Sequence, residues 1–450
     1  MANIIKPWAI ILCKYNDIPN ETRSRTFYED FFTNNGMGGV CDYWREVTLN
    51  ALDLSTSKVF GWFTMNQNSS DASKLIYPGE RNKLVQWGKD AAIANKVNLT
   101  PFGNRILVVQ NGGIDHGAAG NGIVIIHKDP NLIEFGFICH EMGHGFGLPH
   151  SFSGNPDFEY GDGWDIMSFA TTTPLFNIQF KGATGVASIG LNARNLEALG
   201  ALPESRVLSI SQSDFSYTCK IDPLNQIPMG NHGYYVVKIL PNATQPYRSN
   251  GSSFTIEYRI KSGWDKAIPQ NAIIIHEVKI NGLSYLQPGM SDQFVKNQQF
   301  VTPDPKVFVR VVSFDDQHGF ANIRIWDIPN GCLRKEDSRP EVYFIQNGKK
   351  HHIVSPEVLL AIGQSWSDVK EVPDGSLSIL PTDTPITLKD VSECSNLKNK
   401  LASLKANLAS LQSALITIPS GGKGTILSQI KAVKSEITSV QKKMSLIGCK

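Results

Sequence analysis

His140-Glu141-Met142-Gly143-His144-Gly145-Phe146-Gly147-Leu148-Pro149-His150 sets three imidazoles and one carboxylate at the spacing of a metal site. The pattern is HExxHxxGxxH. With only 10 histidines and 38 glycines among 450 residues, chance would place all five fixed residues in fewer than about one chain in ten thousand, so a scatter of unrelated histidines is set aside. On a helix, His140 and His144 stand one turn apart on the same face, and both reach one ion. Glu141 projects beside them, close enough to touch a water on that ion without ligating it.

The flanking residues fit this reading. Leu132, Ile133, Phe135, Phe137 and Ile138 give the helix a buried face, and Asn131 with Glu134 fits a capping box at its start. Gly147 ends the helix, because glycine turns the chain back through a left-handed conformation at little steric cost. Pro149 stiffens the exit, and His150 completes a three-nitrogen set whose fourth position stays open. A structural zinc would take four protein ligands, often cysteines; Cys139 adjoins His140 but points elsewhere on the helix.

This motif resembles that of the metzincin zinc endopeptidases, in which a methionine-bearing turn follows beneath the metal. Gly161-Asp162-Gly163-Trp164-Asp165-Ile166-Met167-Ser168 supplies such a turn, with Met167 as its methionine. An ordinary core methionine is the plainer alternative, which the Gly/Asp-rich loop after the third histidine disfavours. Phe169 stands where some metzincins carry a zinc-ligating tyrosine, so no fifth ligand is expected. Asp157, Glu159, Asp162 and Asp165 offer oxygens for a structural Ca2+ ion, but their spacing matches no known calcium loop and solvated loop acids are the simpler reading.

The resemblance implies a secreted zinc metalloendopeptidase acting on proteins or peptides. One Zn2+ held by His140, His144 and His150 would lower the pKa of a bound water to about 7, with Glu141 as general base. Gly122-Ile123-Val124-Ile125-Ile126-His127 reads as a strand, and metzincins pair an edge strand at this place with the extended substrate. Gly122, Ile123 and Val124 are therefore the expected substrate contacts, whereas His127 and His116 read as structural. Phe27–Phe32, Asp42–Val47 and Phe254–Val278 are similar to segments of secreted immune inhibitor A-like and gametolysin-like metalloproteases.

Composition adds boundaries rather than partners. A formal charge of +2 names no ligand for the whole chain, and no apolar run approaches the ~20 residues that span a bilayer. The run Trp8 to Cys13 is too short for a signal sequence and reads as a first strand, so export would need a removed signal or another route. Seven cysteines without a CxxC pair argue against a second structural zinc site.

The expected architecture is α+β and multidomain: a metzincin-like catalytic domain over 1–203, a β-sandwich over 204–332, a small α/β module over 338–383 and a helical hairpin over 392–450. In the first, Trp8 to Cys13 and Ile106 to Gln110 read as strands, and Arg25 to Phe32, Val40 to Ala51 and Arg81 to Val97 as helices. Six strands follow, over 207–211, 234–240, 253–260, 272–280, 307–314 and 321–326. Glu257, His276 and Glu277 read there as alternating strand polars. The module combines a hairpin at Asn347-Gly348 with a helix started by Ser355-Pro356 and ended by Gly363.

Leucines at 397, 401, 404, 408, 411 and 415, then apolar residues from Ile426 to Ile447, follow a 4-3 rhythm broken by Pro419-Ser420-Gly421-Gly422. This predicts an antiparallel coiled coil whose open end a Cys394–Cys449 disulfide would staple. Residues 395–450 hold nine lysines and one glutamate, a net +8, which leaves −6 for the remainder. Such a hairpin can grip an anionic cell surface or glycan, or its lysines can merely keep the rod soluble. Two functional classes follow: a zinc endopeptidase with accessory domains, which the complete motif favours, and a surface-binding or adhesion protein with a vestigial protease domain.

Overall fold

The computed structural model describes residues 4–75, 80–112, 117–120, 122–127, 135–154, 157–168, 176–180, 183–187, 189–227, 233–241, 251–288, 293–302, 306–417 and 423–446. The fold is mixed α+β with several sheets and two long C-terminal helices. It divides into two compact units, Met1–Gln212 with Thr218–Arg324, and Ser213–Tyr217 with Ile325–Lys450.

In the first unit a five-stranded sheet runs in the order Lys58–Thr64, Ala9–Lys14, Ile106–Asn111, Gly122–His127, Gly117–Ala119. The first four strands are parallel and the last is antiparallel. Strands covered on both faces read as continuous apolar runs, as Ala9-Ile10-Ile11-Leu12-Cys13 does. Ala9, Ile11 and Cys13 pack with Leu84, Val85 and Ala92 of the helix Arg81–Ala94. Trp8, Ile10 and Leu12 share the opposite core with Phe31, Trp44, Phe135 and Ile138, from the helices Arg25–Phe32, Val40–Val47 and Phe135–Gly145. A Cβ on Gly88 would strike the Val108 side chain, so glycine there lets its helix lie close on the sheet.

The first expected helix, Arg25–Phe32, has its expected ends, and the other two are shorter. The second stops at Val47, ahead of Leu49 and Asn50, whose φ values of 55° and 63° break the helix. The third stops at Ala94, before Lys96 with φ 63°. The edge strand Lys58–Thr64 has no counterpart in the sequence reading: only Val59 in it is buried, so it shows no clear alternation. The proposed cap Asn131 and Glu134, with Leu132 and Ile133, lies outside the described residues.

All six strands expected between 204 and 332 form, with ends shifted by a few residues. Val207–Ile210, Val236–Ile239, Ser253–Arg259, Ala272–Val278 and Ser284–Leu286 continue into Phe152–Gly154 and Asp157–Glu159 as one seven-stranded sheet. Tyr285 pairs with Phe152 and Leu286 with Ser153, so the sheet crosses residue 203, where the sequence suggested a boundary. Another sheet carries Gln299–Val301, Val307–Asp315 and Phe320–Asp327. Ring contacts Phe254–Phe300 at 6.0 Å and Tyr258–Phe314 at 5.3 Å join the two sheets.

The second unit, taken by itself, holds a sheet ordered Val369–Val372, Leu333–Glu336, Val342–Gln346, Lys349–Ile353, Thr382–Ile386. Asn347 and Gly348 take the positive φ values, 51° and 72°, that a tight hairpin turn requires. The helix Pro356–Ala361 starts after Ser355 and puts Val358 and Leu359 into the core with Leu333, Val342 and Ile353. Strands at 333 and 386 widen this module beyond 338–383.

Leu388–Thr417 and Lys423–Leu446 pack along Leu397, Leu401, Leu404, Val440 and Met444. Glu393 meets Lys443 and Lys400 meets Glu436, both at 2.8 Å, so these helices run antiparallel as the heptads require. No helix among the described residues is long and apolar enough to cross a membrane. Cys13, Cys41, Cys139, Cys219 and Cys332 are free thiols; Cys449, one end of the expected bridge to Cys394, lies outside the described residues, as do Pro419 to Gly422.

Glu257 and His276 are not solvent-facing strand polars; both are fully buried. The face they occupy is covered by the segment following His150. Arg259 donates to Asp265 at 2.6 and 2.8 Å, to Glu257 at 3.1 Å, and to the carbonyls of Trp164 and Leu191 at 3.0 and 3.1 Å. His276 Nε2 lies 3.0 Å from Asp162, and Glu257 accepts from the Ala193 N–H that opens the helix Ala193–Leu199. Removing one partner of such a cluster strands the others in a dry interior. Arg259→Met should therefore lower unfolding free energy by about 3–5 kcal/mol in a urea titration; a loss below about 1 kcal/mol would mean water reaches the cluster.

Candidate metal centre

Phe135–Gly145 presents Phe135, Ile138, Cys139 and Met142 to the core and holds His140 and Glu141 almost entirely buried. Its glycines explain how closely it is packed. A Cβ on Gly143 would collide with Met167 Sδ, and one on Gly145 with the Trp8 ring. Met167 thus lies directly against the helix, between the first two motif histidines in sequence terms.

Gly147 has φ 91°, the left-handed turn its place in the motif calls for. Its N–H donates to the His144 carbonyl at 2.9 Å, and the Leu148 N–H to the Gly143 carbonyl at 3.0 Å. The reversed chain brings the Leu148 carbonyl to His144 Nδ1, which donates to it at 2.9 Å. His140 Nδ1 donates to the Ile166 carbonyl, also at 2.9 Å, and His150 Nδ1 to Glu159 at 2.6 Å.

A carbonyl can only accept, so these bonds put the proton of each neutral ring on Nδ1 and leave Nε2 as the ligand atom. His144 Nε2 and His150 Nε2 face each other at 2.9 Å. Two lone pairs so placed repel unless a cation, a proton or a metal ion, sits with them. One ligand atom from each of His140, His144 and His150 lies within 4.8 Å of the others, the only such group among the described residues. Burial pushes His140 down to about 3 and lowers His144 as well, which keeps both rings in the neutral, ligating form at neutral pH. The donor set fits a divalent ion that accepts imidazole.

The four acids considered for Ca2+ do not gather. Asp162 and Asp165 are fully buried: Asp162 accepts from the Trp164 N–H, and Asp165 from the Met167 N–H. Asp157 reaches Lys279 at 3.5 Å, and Glu159 orients His150. Asp162 and Asp165 belong to one buried hydrogen-bonded network, whereas Asp157 and Glu159 lie on an exposed strand with other partners. Glu159 is the ring partner of His150, a placement that its position in the sequence does not signal.

Tyr160 is the other residue the sequence did not single out. Its hydroxyl lies 3.1 Å from His150 Nε2. The sequence attention went to Phe169, which lies outside the described residues, as does His116; the His127 side chain is not described. Ile123 and Val124 have neighbours on both sides, and Gly122 pairs with Ala119, so the sheet edge expected there belongs instead to Gly117–Ala119. Gly117–Ala119 supplies that extra strand, antiparallel to Gly122–Val124.

Comparisons with protein-family models, with curated proteins and with solved structures find no match for this chain. The centre therefore stands on its own geometry. Glu159→Gln should weaken metal binding about 10- to 100-fold in competition with a chelating dye, since the carboxylate fixes the His150 ring and raises its basicity. An unchanged affinity would show that the ring is held by something else.

Proposed function

We propose that this protein is a zinc-dependent endopeptidase, secreted and acting on extracellular proteins or peptides. The observation that carries this reading is the convergence of three Nε2 atoms, each ring anchored through Nδ1, beside the buried carboxylate of Glu141. His140, His144 and His150 would hold a divalent ion, which would supply Lewis-acid chemistry and lower the pKa of a bound water to about 7. Glu141 accepts a proton from the attacking water and delivers it to the leaving amine, acting as base and then as acid. Met167 serves as the methionine of a metzincin-like turn, and Gly117–Ala119, the outermost strand of its sheet among the described residues, takes an extended peptide by strand addition.

The two long helices suggest a second role, retention on an anionic glycan or cell surface. Glu393 and Glu436 are paired with Lys443 and Lys400, while Lys398, Lys405, Lys431 and Lys434 are exposed and have no acidic partner among the described residues. By helical angle Lys398, Lys405 and Lys434 share the flank opposite those ion pairs. The Cys394–Cys449 staple belongs to the same proposal and to an oxidising compartment.

Glu141→Gln should bind zinc as the parent does and cleave a peptide library about a hundredfold more slowly or worse. Undiminished cleavage would remove Glu141 from its role; zinc-loaded parent protein without peptidase activity would favour the adhesion reading. Replacing Lys398, Lys405, Lys431 and Lys434 by glutamine should lower the salt needed to elute the protein from immobilised heparin without altering cleavage of a short peptide. Identical elution would leave the lysines a solubilising role only.

A further inference from the structure

We propose that Asp265 and His276 are positioning residues of the metal centre: from beyond residue 203 they fix the turn whose Ile166 carbonyl orients the His140 ring. The proposal rests on the metal-site part of the reading above, not on the reaction assigned to it.

Two routes lead to that turn from the strands Ser253–Arg259 and Ala272–Val278. In the first, Arg259 donates to both oxygens of Asp265 at 2.6 and 2.8 Å, and Asp265 Oδ1 accepts from the Gly190 N–H at 2.9 Å. The Gly190 carbonyl accepts from the Ile166 N–H at 2.9 Å, and the Ile166 carbonyl from His140 Nδ1 at the same distance. Three hydrogen bonds thus separate the Asp265 carboxylate from a ligand ring. In the second route His276 Nε2 meets Asp162 Oδ2 at 3.0 Å, while its Nδ1 faces Glu257 at 3.8 Å. Asp162 Oδ1 accepts from the Trp164 N–H at 2.9 Å, and the Asp162 N–H donates to Ser168 Oγ at 2.7 Å. These bonds bracket Ile166 and Met167, the two residues of the turn that reach the helix Phe135–Gly145.

A backbone carbonyl has no rotamer of its own, so its direction follows the peptide planes around it. The plane that carries the Ile166 carbonyl also carries the Met167 N–H, which donates to Asp165 at 2.9 Å. Asp162 and Asp165 are both fully buried, and each raises the cost of charging the other. Among the described residues His276 is the only basic side chain paired with either. Burial disfavours a charged His276 ring, yet Asp162, Glu257 and Asp165 outweigh it and hold the ring above the usual histidine range. The cation that steadies the turn therefore comes from another strand, and the brace on its preceding N–H comes from Asp265 through Gly190. A group that fixes the partner of a ligand ring shares in aiming that ring.

The test uses the full chain with His276→Leu and Asp265→Asn. Arg334→Met serves as control, because Arg334 is equally buried and holds Asp214 and Asp327 within the second unit. Zinc affinity, read by competition with a chelating dye well below each unfolding temperature, should fall about tenfold or more in the first two variants and stay within about threefold of the parent in the control. The visible absorption of the Co2+-loaded protein should shift in the same two variants, since a ring that is no longer aimed alters the geometry at the ion, and should match the parent in Arg334→Met. Parent-like affinity and Co2+ spectrum in both His276→Leu and Asp265→Asn would overturn the proposal. An equal loss in Arg334→Met would do so too, by reducing the effect to general instability. If neither variant folds, hydrogen exchange in the parent decides: zinc should slow the Ile166 and Gly190 amides at least about tenfold more than amides of the second unit, and equal rates with and without zinc would refute the coupling. Parent protein that takes up no zinc removes the metal centre itself, a failure distinct from unchanged affinity in the variants.

Discussion

The backbone carbonyls of Ile166 and Leu148 decide which nitrogen of His140 and His144 faces the shared point. Neither carbonyl belongs to the helix that carries the rings. Leu148 reaches back only because Gly147 reverses the chain at φ 91°, and Ile166 lies in the turn that presses Met167 against Gly143. The centre therefore depends on two turns as much as on a helix. His150 is the exception, since its orienting partner is the half-exposed side chain of Glu159. A ring held by a flexible carboxylate is the easiest of the three to displace.

The turn beneath the helix is fixed in its own way. Asp165 accepts from the Met167 N–H at 2.9 Å, Ser151 Oγ at 2.8 Å and Asn195 Nδ2 at 2.6 Å. Asp162 binds Asn192 and His276, and through His276 the turn is tied to the strand Ala272–Val278. His276 Nδ1 makes no hydrogen bond and faces Glu257 at 3.8 Å, so the network is tied by charge as well as by hydrogen bonds. The charges also set a pH sense. Burial alone would depress His276, yet Asp162, Glu257 and Asp165 together raise it, so this ion pair contributes fully below the ordinary histidine range and fades as pH rises through the raised value. Burial, then Asp162, lifts Asp165 to about 7, and a raised carboxylate likewise gives up its contribution as pH climbs towards that value.

The sequence carried the features with strong local signals. Strand Gly122–His127 and helix Arg25–Phe32 were legible at both ends, because their apolar periods are unbroken. Within the metal centre, His140, Glu141, His144 and His150 were legible through fixed spacing, and Gly147 through turn chemistry. What stayed hidden depends on long-range pairing. Glu257 and His276 alternate as exposed strand polars do, and only the segment 157–168 folding over them makes them interior. Glu159 and Tyr160 sit beyond the motif, and they come beside His150 when Asp157–Glu159 pairs back onto Phe152–Gly154. The sheet edge was misplaced by one strand because Gly117–Ala119 is only three residues long.

An inert, merely adhesive version of this domain has no use for the features that are hardest to keep. Tyr160 in the left-handed region costs about 1–3 kcal/mol of backbone strain, which glycine would relieve. Gly143 and Gly145 inside a helix each sacrifice roughly 1 kcal/mol relative to alanine. Two imidazoles whose lone pairs meet at 2.9 Å add repulsion that a folded but unloaded domain must absorb. A cation bound at the cluster turns that last term from repulsive to attractive, because it takes up both lone pairs at once. The same arrangement that is a liability without a cation becomes a binding site when one is supplied, and this asymmetry is the physical reason to expect a cation at the three histidines.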